Sequence, residues 1–205
     1  MKWRWYHGVL FYAGIEVAAS ALAKVARRTR NIEASDLEKT QTLKQGEEYE
    51  AVYNSLKQPV FAPPGAVFFP IWLVNNSLAT WGLLQVLNKS ANTTGRREFL
   101  AAHGVFWMTY TTFTAAYFSQ RSPIKGAVLT DIGLVAALVA QYAALFRLKD
   151  TKVALSLGTL VPWLLLAAPT ATTVALWNRD KWYEAGPFLD APSQWVKPGT
   201  GTEPS

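Results

Sequence analysis

The chain has 205 residues, half of them hydrophobic, with a formal net charge of +6 and no cysteine. The missing cysteine excludes disulfides, thiolate chemistry and cysteine-ligated metals. Lysine and arginine gather at the ends of apolar stretches, where lipid headgroups account for them. The basic balance therefore indicates a lipid bilayer as a partner and argues against nucleic acid.

Long uncharged stretches dominate the sequence. Four have the length and apolarity of a bilayer-spanning helix, at about 66–87, 100–118, 126–146 and 153–177, and a less clean fifth covers about 3–25. The connections after residue 66 are short, which favours antiparallel neighbours. The sequence predicts an all-α fold, a polytopic membrane protein built as a bundle of five transmembrane helices.

The first stretch, residues 1–25, has two interpretations. Its basic start, its apolar run and the stretch Ala21-Leu22-Ala23 resemble a signal peptide with a small-residue cleavage site. Glu16 interrupts that run, and Trp3, Trp5 and Tyr6 are typical of an interfacial belt. We favour a retained first transmembrane helix.

Two polar segments lie outside the predicted spans. Residues 26–58 form a predicted extramembrane loop, with short helical turns expected at 36–39 and 48–53. Residues 178–205 are rich in proline and glycine, which predicts a mobile C-terminal tail. Residues 59–177 hold the other four helices of the bundle.

A proline-stiffened loop leads into the second span. Pro63 and Pro64 fix the backbone and lack amide donors, so they cannot lie inside a helix. We expect them to set the start of the next helix and to hold Phe61 over its end. A rigid aromatic loop in this position indicates a lid over a binding site.

Polar and aromatic side chains recur at helical spacing in three of the spans. Flat aromatic walls with a few hydrogen-bonding groups suit a large, planar, mostly apolar ligand. The alternative is that the polar groups only join helices, as threonine and asparagine commonly do in membranes. The stripes are Trp72, Asn76 and Thr80; His103, Trp107, Tyr110, Thr114 and Tyr117; and Thr159, Trp163, Thr170, Thr173 and Trp177.

Two carboxylates interrupt the apolar stretches. Asp131 lies a turn into the fourth span, and an intramembrane acid is a functional candidate by default. The alternative is an acid near the headgroups, paired with Lys125 or Arg121. Glu16 in the first span leaves the same two interpretations open. His7 and His103 form no metal-binding spacing, so no metal site is predicted.

The segment from Phe61 to Trp72 resembles the signature of the TspO/MBR family, the tryptophan-rich sensory or translocator proteins. The matching residues are Phe61-x-Pro63-Pro64-Gly65-x-Val67-Phe68-x-Pro70-Ile71-Trp72. The stretches 127–131, 160–163 and 177–179 also fit. The resemblance implies a five-helix bundle, often a homodimer, with a pocket capped by the first loop. It also implies porphyrin, haem or another tetrapyrrole as ligand, or a sterol-like molecule, with no obligatory cofactor.

Some positions depart from the family pattern. Phe61 and Ala66 stand at signature tryptophans, Tyr110 and Thr111 at an asparagine–tryptophan pair, and Ala127 at an aromatic residue. We predict a planar hydrophobic ligand in an aromatic pocket, with a sensory, regulatory or transport role. The predicted ligand-binding residues are Phe61, Pro63, Pro64, Trp72, Asn76, Tyr110, Thr114, Asp131 and Trp163.

Two other hypotheses stay open at the level of sequence. One is a non-catalytic accessory or scaffold protein with a degenerate pocket. The other is photochemical porphyrin breakdown through Trp72 and Trp163. No nucleophile motif, glycine-rich phosphate loop or paired carboxylate array points to another enzyme class.

Overall fold

The computed structural model describes residues 2–29 and 45–201, and these are almost entirely helical or irregular. Short 3₁₀ turns occur at Gly65–Val67 and Ser193–Trp195, and the described part of the chain forms isolated β-bridges but no strand. The predicted all-α fold class is confirmed. The helices are α1 Trp5–Thr29, α2 Gln45–Ser55, α3 Phe68–Leu87, α4 Arg96–Phe113, α5 Pro123–Tyr142, α6 Thr151–Leu155 and α7 Leu160–Trp177.

Four helical stretches within the described residues are long and apolar enough to cross a bilayer. They are Trp5–Arg28, Gly65–Leu87, Pro123–Arg147 and Thr151–Trp177. The fifth long helix, α4, is more polar because it carries several threonines, Tyr110 and His103. It completes the five-helix bundle by packing most extensively against α5 and also against α1. The chain is thus a multi-pass integral membrane protein.

Helix α5 lies at the centre of the bundle, between α4 and α7. Its inward face is made of buried alanines, among them Ala136, Ala137 and Ala140. Small side chains allow membrane helices to approach closely, so van der Waals contact can replace the hydrophobic drive that lipid does not supply. Gly82 serves the same purpose in α3, where an added Cβ would overlap the Ser156 side chain.

Two of the connections between helices begin with wide helical turns. Helix α4 continues as a π-helix over Thr114–Ser119, and α5 does so over Ala143–Arg147. Ser122 then caps the start of α5 by accepting a hydrogen bond from the Lys125 amide at 3.2 Å, with Pro123 in the first turn. These local signals explain why the helices end and begin where they do.

The C-terminal segment differs from the predicted mobile tail. Residues 178–201 fold back onto the loop before α3 and onto the start of α5 through buried hydrogen bonds. Its proline and glycine content prevents a helix, but its backbone groups find partners in other irregular segments. Of the two helical turns expected in the first loop, 48–53 lies within α2, and 36–39 lies outside the described residues.

The short helix α6 depends on Asp150, and this generates a pH prediction. The Asp150 carboxylate caps α6 by accepting from the Val153 amide at 3.1 Å and lies 2.8 Å from Lys89 Nζ. The hydrogen bond from Lys89 holds the pKa of Asp150 below its usual value. A lowered folded-state pKa means that this stabilisation is present above the unfolded pKa of about 3.9 and is lost as pH falls through the folded value.

We expect Asp150→Asn, which keeps a capping side chain, to cost ~0.2–1 kcal/mol of stability at pH 7. The difference from wild type should shrink as the pH falls below about 4. Asp150→Ala also removes the cap and should cost more, ~0.5–2 kcal/mol. Thermal unfolding in detergent measures all three. Glu98→Gln, from a half-exposed pair with Arg147 at 3.7 Å, is the control, and an equal effect of Glu98→Gln would contradict the prediction.

Candidate functional site

The prolyl loop precedes α3 as the sequence predicts. Pro63 and Pro64 lie before the 3₁₀ turn, outside any helix. The Tyr53 hydroxyl donates to the Pro63 carbonyl at 2.9 Å, and burial raises the pKa of Tyr53 to about 12, so this donor stays protonated at neutral pH. Phe61 is 44% exposed. The buried loop residue beside it is instead Ala62.

The C-terminal segment holds this loop in place. The Val60 amide donates to the Trp195 carbonyl at 2.9 Å, and the Lys197 amide donates to the Gln58 carbonyl at 2.7 Å. The Lys197 ammonium donates to the Ala62 carbonyl at 3.0 Å. We call residues 56–64 and 193–201 together the cap, because they form one hydrogen-bonded unit above the start of α3.

A buried carboxylate anchors the C-terminal segment to the bundle. Asp180 is fully buried and accepts from Ser122 Oγ at 2.6 Å and the Ile124 amide at 3.0 Å, both at the start of α5. It also accepts from the amides of Trp182 and Tyr183, each at 2.9 Å. A helix N-terminus favours an acceptor that is negatively charged, so Asp180 stabilises α5 and the turn after α7 together.

Asn178 ties the base of the cap to the end of α7. Its side-chain oxygen accepts from the Lys57 amide at 2.8 Å, and its side-chain nitrogen donates to the carbonyls of Lys57 at 3.1 Å and Val174 at 2.8 Å. The cap is therefore joined to α7 at Asn178 and to α5 through Asp180.

An aromatic cluster lies among helices α3, α4 and α7. We define it as Phe68, Trp72, Tyr110 and Trp163. The ring centroids of Trp72 and Tyr110 are 5.2 Å apart, those of Phe68 and Trp163 5.6 Å, and those of Trp72 and Trp163 6.4 Å. Tyr53 extends the contacts to the cap, because its ring lies 5.2 Å from that of Phe68. Offset and edge-to-face rings at these distances attract each other.

A polar rim joins this cluster to α1. The Tyr110 hydroxyl donates to Glu16 Oε1 at 2.7 Å, and Asn76 Nδ2 donates to the Tyr12 hydroxyl at 3.4 Å. Glu16 is one of the two acids that the sequence places within the spans, and it has a hydrogen-bonding partner at the candidate site. A carboxylate in the bilayer is costly unless such a donor meets it.

Several buried polar atoms near the cluster have no hydrogen-bond partner within residues 2–29 and 45–201. They are Trp163 Nε1, Asn76 Oδ1 and Asn75 Nδ2. Asn75 and Asn76 are both almost completely buried. Leaving such groups unpaired costs ~1–3 kcal/mol each, so a buried donor and acceptor without partners indicate that the site can accept a ligand with polar groups.

The structure brings together only part of the predicted ligand set. Trp72 contacts both Tyr110 and Trp163, and Asn76 follows Trp72 by one helical turn. Thr114 is half-buried, one turn beyond Tyr110. Asp131 is exposed on α5 and accepts from Thr172 Oγ1 of α7 at 3.3 Å, so its contact is between those two helices.

Sequence analysis missed Phe68, Tyr53 and Tyr12 as members of this region. Phe68 lies inside the family signature, and that position was the available signal. Tyr12 and Glu16 are four residues apart on α1 and therefore share a face, a signal that could have placed both beside α3 and α4.

A cavity of about 560 Å³ lies outside the aromatic cluster. It is bounded by α1, the second half of α3 and α4, and both histidines of the chain, His7 and His103, contribute to its wall. None of the predicted ligand-binding residues lines it. Trp107 lies between the two regions, since it lines the cavity and its ring centroid is 5.6 Å from that of Tyr110.

The Asp180 anchor generates a prediction about the cap. Asp180→Ala removes four hydrogen bonds to a carboxylate, a type worth ~1.5–3 kcal/mol each, so we expect faster amide hydrogen exchange at Val60 and Lys197 and a lower unfolding temperature. Hydrogen–deuterium exchange with mass spectrometry measures the first effect. Asp190→Ala, at an exposed position of the same segment, should leave both unchanged. Slow exchange at Val60 in the Asp180 variant would show that the cap does not depend on this anchor.

A protein-family model matches more than half of the chain. The family model described as TspO/MBR family matches residues 35–178. The match covers α2 to α7, the cap loop and all members of the aromatic cluster. A search of curated proteins finds no match.

Proposed function

The chain belongs to the TspO/MBR family, and from that premise we propose that it binds a planar hydrophobic ligand, a tetrapyrrole, at the aromatic cluster beneath the cap. The observation that carries the proposal is the combination of aromatic faces with unpaired buried polar atoms. Trp72, Tyr110 and Trp163 supply the faces, and Trp163 Nε1 and Asn76 Oδ1 supply a donor and an acceptor without partners.

These groups favour a tetrapyrrole over a sterol-like molecule. The flat ring of a porphyrin can stack on indole and phenol faces, whereas the curved aliphatic body of a sterol cannot. The role that follows from binding is sensory, regulatory or transport-related.

The residues at the cluster suit the metal-free ring better than an iron-ligated one. Of the two histidines, His103 has its Nε2 3.2 Å from the Ala79 carbonyl oxygen, and neither histidine contacts the cluster's tryptophans Trp72 and Trp163. Protoporphyrin IX is therefore a better first probe than haem.

Binding at the cluster requires a change in ring packing. The cluster's rings are in contact with one another, and Phe68 connects them to Tyr53 under the cap. A ligand must separate Trp72 from Trp163 and displace the loop at residues 56–64. The free energy for this comes from new stacking and from satisfying the unpaired atoms.

Titration of the purified protein with protoporphyrin IX tests the proposal. We expect saturable binding, followed by the shift of the porphyrin absorption band and by tryptophan quenching. Trp72→Ala should weaken binding about tenfold, because an aromatic contact contributes ~0.5–1.5 kcal/mol beyond its buried area and 1.4 kcal/mol is a factor of ten.

Trp81→Ala is the matched control, since Trp81 lies on the same helix but is 42% exposed at the outer surface. It should leave the dissociation constant unchanged. Non-saturable binding by the folded wild-type protein, or equal effects of the two substitutions, would overturn the proposal.

A second candidate function is supported by the close ring packing itself. If the rings of Trp72, Tyr110 and Trp163 only stabilise the bundle, the chain is a non-catalytic accessory or scaffold protein with a degenerate pocket. That function predicts that Trp72→Ala lowers the unfolding temperature while porphyrin has no effect on it. Ligand-dependent stabilisation of wild type, lost in Trp72→Ala, would exclude it.

A further inference from the structure

The cavity between α1, α3 and α4 is elongated along the helix axes and almost wholly apolar. Its wall runs from Leu100 to Thr112 on α4, which corresponds to about 18 Å at 1.5 Å per residue. No lysine, arginine, aspartate or glutamate lines it. Its volume of about 560 Å³ lies within the range of small-molecule sites.

One end of the cavity is closed near the start of α1. The Trp3 amide donates to Asn88 Oδ1 at 2.7 Å, and Asn88 Nδ2 donates back to the Trp3 carbonyl at 2.8 Å. This pair holds Trp3 against the end of α3, and both Trp3 and Leu87 line the cavity there. The cap lies at the other end of α3, so this end is remote from it.

The cavity is open on the side of α4. Met108 is 70% exposed, and Gly104 is exposed with open space where a Cβ would stand. Both residues line the cavity. In a membrane-spanning bundle this side faces hydrocarbon, so a ligand would enter from the lipid phase.

Two buried polar groups in the wall have no partner among the described residues. They are Thr80 Oγ1, on a side chain 6% exposed, and Trp107 Nε1, on a side chain 4% exposed. Indole N–H is a donor only, and a hydroxyl both donates and accepts. A ligand with one hydroxyl group can pair with either of them, whereas a pure hydrocarbon cannot.

We propose that this cavity is a second binding site, which takes a long-chain alcohol or isoprenoid alcohol from the bilayer. The apolar walls hold the chain, and the hydroxyl pairs with Thr80 and Trp107. A charged headgroup is disfavoured, because the wall offers no charge to compensate its loss of hydration. The site is separate from the aromatic cluster, although Trp107 borders both, and the proposal does not rest on porphyrin binding.

Photolabelling in lipid nanodiscs tests this site. The probe is hexadecanol with a mid-chain diazirine and a terminal alkyne, and the comparison probe is the same chain without the hydroxyl. Adducts are mapped by mass spectrometry. We expect the alcohol to label the wall residues of α1 and α4, and Thr80→Val to reduce this labelling about three- to tenfold, as expected for one hydrogen bond. Labelling by the hydrocarbon probe should not change.

Gly104→Phe places a bulky ring at the open side of the cavity and should abolish the specific labelling. Gly14→Phe is the matched control, because Gly14 is also an exposed helical glycine with open space around it but does not line the cavity. Unfolding temperatures verify that both variants fold. If Gly104→Phe does not fold, Thr80→Val still tests the proposal.

Three results would overturn the proposal. The first is equal labelling by the two probes, and the second is equal labelling in the Gly104 and Gly14 variants. The third is a change in the mass of the native complex in Gly104→Phe, which would assign this face to a second copy of the chain. If Gly104→Phe loses alcohol labelling but still binds protoporphyrin IX, the result supports a site separate from the aromatic cluster.

Discussion

The buried carboxylate of Asp180 is the interaction on which the arrangement of the candidate site depends. It lies just after the last transmembrane helix and accepts hydrogen bonds at the start of α5, so it joins the centre of the bundle to the C-terminal segment. That segment in turn pairs with the loop before α3. The position of the cap over the aromatic cluster is therefore set by a polar contact outside the apolar core. Apolar packing of membrane helices is weakly directional, whereas four hydrogen bonds to one carboxylate define a single geometry.

The helical bundle could be predicted from the sequence because hydrocarbon imposes a simple rule of length and apolarity. The position of Pro63 and Pro64 before α3 followed from the missing amide donors of proline. The order of the C-terminal segment could not be predicted from the sequence, because its proline- and glycine-rich composition is typical of segments that form no hydrophobic core. Its order comes from pairing with the cap loop, as between Lys197 and Ala62, which are 135 residues apart. No local pattern encodes such a pair.

The candidate site, too, could be predicted from the sequence only in part. Helical spacing placed Trp72, Tyr110 and Trp163 on inward faces, and in the structure Trp72 contacts the other two. Helical spacing did not separate Asp131, whose exposed carboxylate contacts Thr172, from the residues of the cluster. The direction in which α5 faces depends on its neighbours α4 and α7. The cavity between α1, α3 and α4 could not be predicted from the sequence either. Its wall is made mainly of apolar residues from three helices, and such residues carry no functional signal in a membrane protein.

The hydrogen bonds of the cap have a consequence for the order of events during biosynthesis. Residues 56–64 leave the ribosome early, but their partners Trp195 and Lys197 are made only after α7 has been translated. The two are about 135 residues apart, so translation at ~5–20 residues per second separates them by ~7–27 seconds. During this interval the loop lacks its partners, and Tyr110 and Trp163 of the aromatic cluster are themselves still to be made. The cap can therefore close only after residues 193–201 have been translated, so its geometry is set later than the entry of α3 into the membrane.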